Sequence, residues 1–145
     1  MLANVHKSLK HGGILRFNFA ADGNCSNFFR VIKKAMTQKK YAPYFSNFDW
    51  PWYMPTIDEY EKILKRFSFK EVKVWSENAD NYFANEQEMI RWIEQPSLVP
   101  FLKCVAKSDK QTFRDTVIEQ MIKNTAQPDG RCFETFRRIN VLAKK

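Results

Sequence analysis

The residue types that most often carry catalytic or metal-binding chemistry, cysteine and histidine, are scarce in this chain. Its three cysteines, Cys25, Cys104 and Cys132, form no C-x-x-C pair. This predicts ordinary reduced thiols rather than a disulfide framework or a zinc site. His6 and His11 lie close together near the amino terminus, with no third metal ligand nearby. We therefore predict no metal site and assign no catalytic residue.

Glycine is the next informative residue, because loops that cradle phosphate groups need several glycines at short spacing. The chain has four, at Gly12, Gly13, Gly23 and Gly130. They form neither a G-x-G-x-x-G nor a Walker pattern, which excludes the nucleotide-binding classes that these loops define.

The composition is that of a globular domain with a basic excess. The length of 145 residues suits one domain, and the net charge is +8. Residues 1–75 carry most of that charge, with 13 Lys or Arg against 6 Asp or Glu. Two lysine pairs, Lys33-Lys34 and Lys39-Lys40, lie on or just beyond an amphipathic helix. This placement favours a solvated face or an acidic partner, and makes nucleic acid the least favoured partner.

The sequence gives no sign of a membrane or secretory protein. No apolar run approaches the ~18 residues of a membrane span. The amino terminus, residues 1–7, lacks the apolar core of a signal peptide. We expect a cytoplasmic protein with no membrane partner.

Hydrophobic periodicity predicts helices that alternate with three strands, at residues 14–20, 70–76 and 132–143. Thr56-x-x-Glu59 and Ser108-x-x-Gln111 have the spacing of capping boxes, which begin helices. The order is helix, strand, two helices, strand, three helices, strand, and it indicates an α/β fold. Three strands are few for such a sheet, which suggests the end of a larger fold.

Residues 39–55 form a long segment with three prolines and seven aromatic side chains. Loops longer than about 12 residues are usually functional or disordered. Because this segment is too aromatic for disorder, we predict a loop that lines a binding site.

Several segments together resemble a known family. Leu9-Lys10-His11-Gly12-Gly13-Ile14-Leu15 resembles the L-K-P-G-G-x-L turn before the fifth strand of class I S-adenosylmethionine-dependent methyltransferases, with His11 in place of proline. Later segments resemble the trans-aconitate 2-methyltransferase group, in the same order along the chain. They are Met54-Pro-Thr-x-x-x-Tyr60, Val72-Lys-Val-Trp75, Met89-Ile-Arg-Trp92-Ile, Leu98-Val-Pro-Phe101-Leu102, and Asp129-Gly130-Arg131 followed by residues 136–144.

The resemblance implies the carboxyl-terminal half of that fold: three strands of a Rossmann-like sheet, the last one antiparallel, with a helical insertion. It assigns residues 1–81 to the region of strands five and six, including the aromatic loop 39–55. It assigns residues 82–130 to a helical substrate cap and residues 131–145 to the final strand. Together these parts would form one incomplete domain.

The resemblance also implies S-adenosylmethionine as the cofactor. The family holds it with a glycine-rich loop after the first strand and with residues that follow the second, third and fourth strands. These elements are absent from the sequence. We therefore expect weak or no cofactor binding and an inactive fragment.

The acceptor that the resemblance implies is a small-molecule carboxylate or a related acceptor. A carboxylate nucleophile needs no general base, but it needs groups that fix the acid in place. The candidate substrate-binding residues are Asn24, Arg30, Trp52, Tyr53, Tyr82, Arg131 and Arg138. Purely structural roles are open as well: a paired arginine for Arg138, loop packing for Trp52 and core packing for Tyr82. Arg30 could equally be a solvated helix residue, and Asn24 could form an Asx-turn.

A second hypothesis is an interaction module without catalytic activity. A sheet that is cut between its fourth and fifth strands exposes an edge and apolar faces. Such a surface favours a homodimer, or pairing with a chain that carries the amino-terminal half.

Overall fold

The computed structural model describes the backbone of residues 1–145 and every side chain except that of Pro96. The chain divides into two compact units. Unit 1 comprises Met1–Asn24, Tyr53–Ala79 and Phe136–Lys145, and unit 2 comprises Cys25–Trp52 and Asp80–Thr135. The aromatic loop up to Trp52 thus belongs to the same unit as the helices that follow residue 80.

The described residues form α-helices and β-strands in a mixed α/β architecture, as the sequence predicts. A 3₁₀ turn spans Ala42–Phe45, and Ile93–Ser97 is a kinked helical segment in which the backbone of Gln95 is not helical. In chain order the other elements are α1 (Leu2–Ser8), β1 (Ile14–Ala20), α2 (Ser26–Met36), α3 (Ile57–Leu64), β2 (Lys70–Asn78), β3 (Asn81–Phe83), α4 (Glu86–Trp92), α5 (Val99–Cys104), α6 (Lys110–Thr125), β4 (Cys132–Glu134) and β5 (Arg137–Lys144).

The sheet of unit 1 has the strand order β1-β5-β2, so the last strand lies between the other two. β5 is antiparallel to both neighbours, and Val141 lies opposite Phe17 of β1 and Val74 of β2. β1 and β2 are therefore parallel to each other. The prediction that the last strand is antiparallel is confirmed.

One face of this sheet is apolar and packs against α1 and α3. Leu15, Ile139 and Val141 belong to a buried core together with Leu2 of α1 and Leu64 of α3, and each is at most 7% exposed. The alternation of apolar residues in β5 places them on one face, since successive strand residues point to opposite sides.

The first predicted capping box is confirmed and the second is wrong. Thr56 Oγ1 accepts from Glu59 N–H at 3.2 Å, and Glu59 Oε2 accepts from Thr56 N–H at 2.8 Å. At α6 the N-cap residue is Asp109 rather than Ser108, and no side chain caps the helix. The carboxylate of Asp109 contacts Tyr44 and Lys40 instead.

Unit 2 is built around aromatic side chains. Phe28 of α2, Phe101 of α5 and Phe113 of α6 are almost completely buried. β3 and β4 form a separate two-stranded antiparallel ribbon, in which Tyr82 lies opposite Phe133.

The prediction of one continuous final strand is wrong. The chain forms β4 and β5 instead, and they belong to different sheets. The break falls at Thr135 and Phe136, whose carbonyl groups accept from the N–H groups of Cys25 and Ala79, each at 2.8 Å. β4 pairs within unit 2 and β5 pairs within unit 1, so the two strands do not continue as one. β3 was not predicted either, so the structure has five strands where we expected three.

A buried carboxylate caps the start of α2. Glu134 of β4 is fully buried, and it accepts from the N–H groups of Asn27 at 3.1 Å and Phe28 at 2.8 Å. It also accepts from Thr135 N–H at 2.8 Å. The N-cap residue, Cys25, provides no side-chain cap. Burial raises the pKa of Glu134, and the backbone donors offset part of that rise.

We predict that Glu134→Ala lowers the free energy of unfolding by about 3 kcal/mol, because it leaves the buried N–H of Phe28 and the part-buried N–H groups of Asn27 and Thr135 without this acceptor. Urea denaturation measures this loss. The control is Glu88→Ala, which removes an exposed carboxylate that accepts from Ala84 N–H at 3.1 Å. The control should lose less than about 1 kcal/mol. Equal losses in the two variants would contradict the capping role.

Candidate functional site

The sheet face opposite the core of unit 1 carries a network of polar side chains. Asn140 of β5 is 2% exposed and donates from Nδ2 to Glu77 Oε2 at 2.7 Å. Its Oδ1 accepts from Asn18 Nδ2 at 2.9 Å and from Arg16 Nη2 at 3.2 Å. Arg138 donates through Nε and Nη2 to Asn18 Oδ1, at 2.9 and 2.6 Å. The network spans all three strands and fixes the guanidinium of Arg138.

A cavity of about 330 Å³ opens at one end of this sheet. Asp22 follows β1, Ser76 lies near the end of β2, and Arg137 and Arg138 begin β5. The carboxyl ends of the parallel strands β1 and β2 therefore meet at this cavity. That is the position where α/β folds bind ligands. The remaining lining residues are Ala21, Pro55, Thr56, Ile57 and Asp58.

Arg138 is the group in this cavity best suited to hold a carboxylate. Its hydrogen bonds go to Asn18, and no described residue forms an ion pair with it. A guanidinium with a neutral partner keeps its charge, and Nη1 of Arg138 takes no part in these bonds, so its donors can reach an acid. Asp22 and Asp58 also line the cavity, so recognition of an acid has to rest on direct contact with Arg138 rather than on net charge.

The other two candidates in unit 1 do not line this cavity. Asn24 is 6% exposed, and its N–H donates to Ala21 O at 3.1 Å in the turn after β1. Tyr53 is 66% exposed. Their role in substrate binding stays a prediction.

Two of the candidates in unit 2 lie against each other. The guanidinium carbon of Arg131 is 4.5 Å from the ring centroid of Tyr82. Arg131 is also paired with Asp129, at 2.7 Å between Nη2 and Oδ2. This ion pair raises the pKa of Arg131 and lowers the pKa of Asp129. The positive charge of Arg131 is therefore already compensated, which leaves it less suited than Arg138 to hold an acid.

Trp52 packs within the aromatic cluster of unit 2. Its ring stacks on Phe29, with centroids 5.5 Å apart. Trp50 contacts Phe101 at 5.6 Å, and Lys33 Nζ lies 5.1 Å from the Trp50 ring centroid. The loop thus has a packing role, and substrate contact by Trp52 stays a prediction. Arg30, the remaining candidate, lines a separate groove between α2 and α6.

The aromatic loop is tied to the start of α6 by a polar contact. Tyr44 Oη donates to Asp109 Oδ2 at 2.7 Å, and Lys40 Nζ lies 3.1 Å from Asp109 Oδ1. The hydrogen bond from Tyr44, and then that from Lys40, lowers the pKa of Asp109 below its usual value. A lowered carboxylate pKa contributes stability above the unfolded-state pKa, and this contribution is lost as pH falls through the folded-state value.

We therefore predict that Tyr44→Phe lowers the thermal midpoint Tm more at neutral pH than in strong acid, where protonation removes the Asp109 carboxylate from both proteins. Thermal unfolding followed by circular dichroism measures the difference. Tyr53→Phe is the matched control, since Tyr53 is largely exposed. An equal effect of Tyr44→Phe at both pH values would show that the hydrogen bond to the carboxylate contributes nothing.

Sequence reasoning missed Asp22, Ser76 and Arg137 as cavity residues. A usable signal existed for the first two, because they lie where predicted strands end, which is where α/β folds bind ligands. Arg137 gave no such signal. Its neighbour Arg138 was already a candidate for substrate binding. Because successive strand residues point to opposite faces, nothing in the sequence indicated that both arginines line one cavity.

S-adenosylmethionine, which the resemblance implies, does not fit the described residues. A glycine-rich loop binds its ligand by close approach of the backbone and by free N–H groups. Here the N–H groups of Gly12, Gly13 and Gly130 donate to backbone carbonyls of the protein, at 2.8, 2.8 and 3.0 Å.

No family model matches the sequence, and no curated protein matches it. Among the described residues, no three or more His, Cys, Asp or Glu side chains are grouped to hold a metal ion. In the same part of the chain, no helix has the length and apolar character needed to cross a membrane.

Proposed function

We propose that this chain is the carboxyl-terminal part of a class I S-adenosylmethionine-dependent methyltransferase and that it supplies the side that binds the methyl acceptor. The sheet of unit 1 is the observation that supports this most. The resemblance implies three strands with the last one antiparallel, and β5 is antiparallel to both β1 and β2. The coincidence of sequence motifs with this strand arrangement favours the proposal over an unrelated α/β domain.

The cavity at the carboxyl ends of β1 and β2 is the acceptor site in this proposal. Arg138 would hold the acceptor's carboxylate through donors that Asn18 does not use, and Thr56 and Ser76 line the same cavity. Positioning of the nucleophile is the main task, since a carboxylate needs no proton removed before it attacks. The absence of an assigned general base is compatible with this chemistry.

The cofactor would be held by residues outside these 145. We therefore expect the chain alone to bind S-adenosylmethionine weakly or not at all, and to be inactive by itself. The role of residues 82–130 as a substrate cap stays a prediction from the resemblance.

One observation favours the alternative of a non-catalytic interaction module. β1 pairs with β5 on one side, and no strand among the described residues pairs with its other side. An unpaired strand edge is a template for another strand. Ile14, at its start, is 64% exposed. The edge suits a second copy of the chain as well as a strand of a separate amino-terminal half.

Calorimetric titration tests the proposal. The purified chain should show no binding of S-adenosylmethionine tighter than roughly millimolar. The DNA upstream of the Met1 codon should encode a strand followed by a glycine-rich loop. Co-expression of that segment with this chain should give a complex that binds the cofactor at least about 100-fold more tightly.

Two results would contradict the proposal. Micromolar binding of S-adenosylmethionine by the chain alone would show that the cofactor site lies within these residues. A stable homodimer in sedimentation experiments would instead favour the interaction module, if the co-expressed segment does not displace the second copy of the chain.

A further inference from the structure

A groove between α2 and α6 of unit 2 has a cationic and amide-rich lining. It has a volume of about 310 Å³. Val31 and Ala35 supply its apolar part, and both are at most 5% exposed. No lining residue is acidic. The polar lining residues are Arg30, Lys34, Gln38, Gln120 and Asn124.

Helical spacing explains why these side chains meet. Residues four apart on a helix lie on one face. Arg30 and Lys34 have this spacing on α2, and Gln120 and Asn124 have it on α6. Two adjacent faces, one cationic and one amide-bearing, therefore line the groove.

The positive charges of this groove are not compensated by the protein. Arg30 Nη2 donates to Asn27 Oδ1 at 2.7 Å and Nη1 donates to Asn124 Oδ1 at 3.4 Å, and both acceptors are neutral amides. These two bonds use only part of the five donors of a guanidinium. Lys34 forms no ion pair within the described part of the chain. Like charges four residues apart on a helix repel each other, so a bound anion would reduce the repulsion between Arg30 and Lys34.

We propose that this groove binds a small organic anion with at least two negative charges, either a polycarboxylate or a phosphate ester. The fork of Arg30 suits a pair of carboxylate or phosphate oxygens, and Lys34 supplies a second charge. The amides of Gln38 and Gln120 offer hydrogen bonds to hydroxyl or carbonyl groups of the ligand. The volume is at the lower end of the range for small-molecule sites.

This site is independent of the proposed methyl transfer. It is built within unit 2, and its lining shares no residue with the cavity of unit 1. Arg30 alone among its residues was a candidate for binding the methyl acceptor. The groove would bind an anion whether or not the chain takes part in methyl transfer.

Titration of the whole chain with citrate and with inorganic phosphate, at low ionic strength, tests the proposal. The double variant Arg30→Met, Lys34→Met should bind the preferred probe at least about tenfold more weakly. The control, Lys103→Met with Lys107→Met, removes the same charge from exposed positions of unit 2 and should bind as the unchanged chain does. Tighter binding of citrate would identify a polycarboxylate as the ligand class, and tighter binding of phosphate would identify a phosphate ester.

Amide chemical shifts of the unchanged chain give a second measurement, which does not require the variant to fold. Saturable shifts should be confined to residues around Val31, Ala35 and Gln120. Absence of saturable binding by both probes would overturn the proposal. So would equal weakening in the two double variants, or shifts that map to another part of the chain.

Discussion

Unit 1 depends on one strand, β5, which satisfies its backbone hydrogen bonds on both sides at once. Its pairing with β1 and with β2 fixes the register of the whole sheet. The register in turn decides which residues face the core. Ile139 and Val141 are buried against α1 and α3, whereas Arg138 and Asn140 face the other way. A slip of one residue would exchange these two sets, which the apolar core forbids.

The candidate acceptor site follows from the same arrangement. Because β1 and β2 both run antiparallel to β5, their carboxyl ends meet where β5 begins, and this brings Ser76 and Arg138 to one cavity. The buried amide of Asn140 and the carboxylate of Glu77 fix Asn18, which in turn holds Arg138. A network of this kind keeps a guanidinium in place without neutralising it. Such a group is what a carboxylate ligand requires.

Local patterns could be predicted from the sequence, and contacts between distant segments could not. Alternation predicted β1 and the buried side of β5, and Thr56 with Glu59 predicted the start of α3. The break between β4 and β5 at Thr135 could not be predicted, because residues on both sides of it have strand character. The cap on α2 was equally hidden, since Glu134 and Asn27 are 107 residues apart. Arg138 was found through a resemblance in sequence, whereas Arg137 and Ser76 emerged only from the strand order.

The central claim, that β5 lies between β1 and β2, is tested most directly by nuclear Overhauser effects across the sheet. Val141 is opposite Phe17 on one side and Val74 on the other. The structure predicts cross-strand backbone contacts from Val141 to both residues, and none directly between β1 and β2. Contacts from Val141 to only one of them, or direct contacts between β1 and β2, would contradict the strand order on which the proposed function depends.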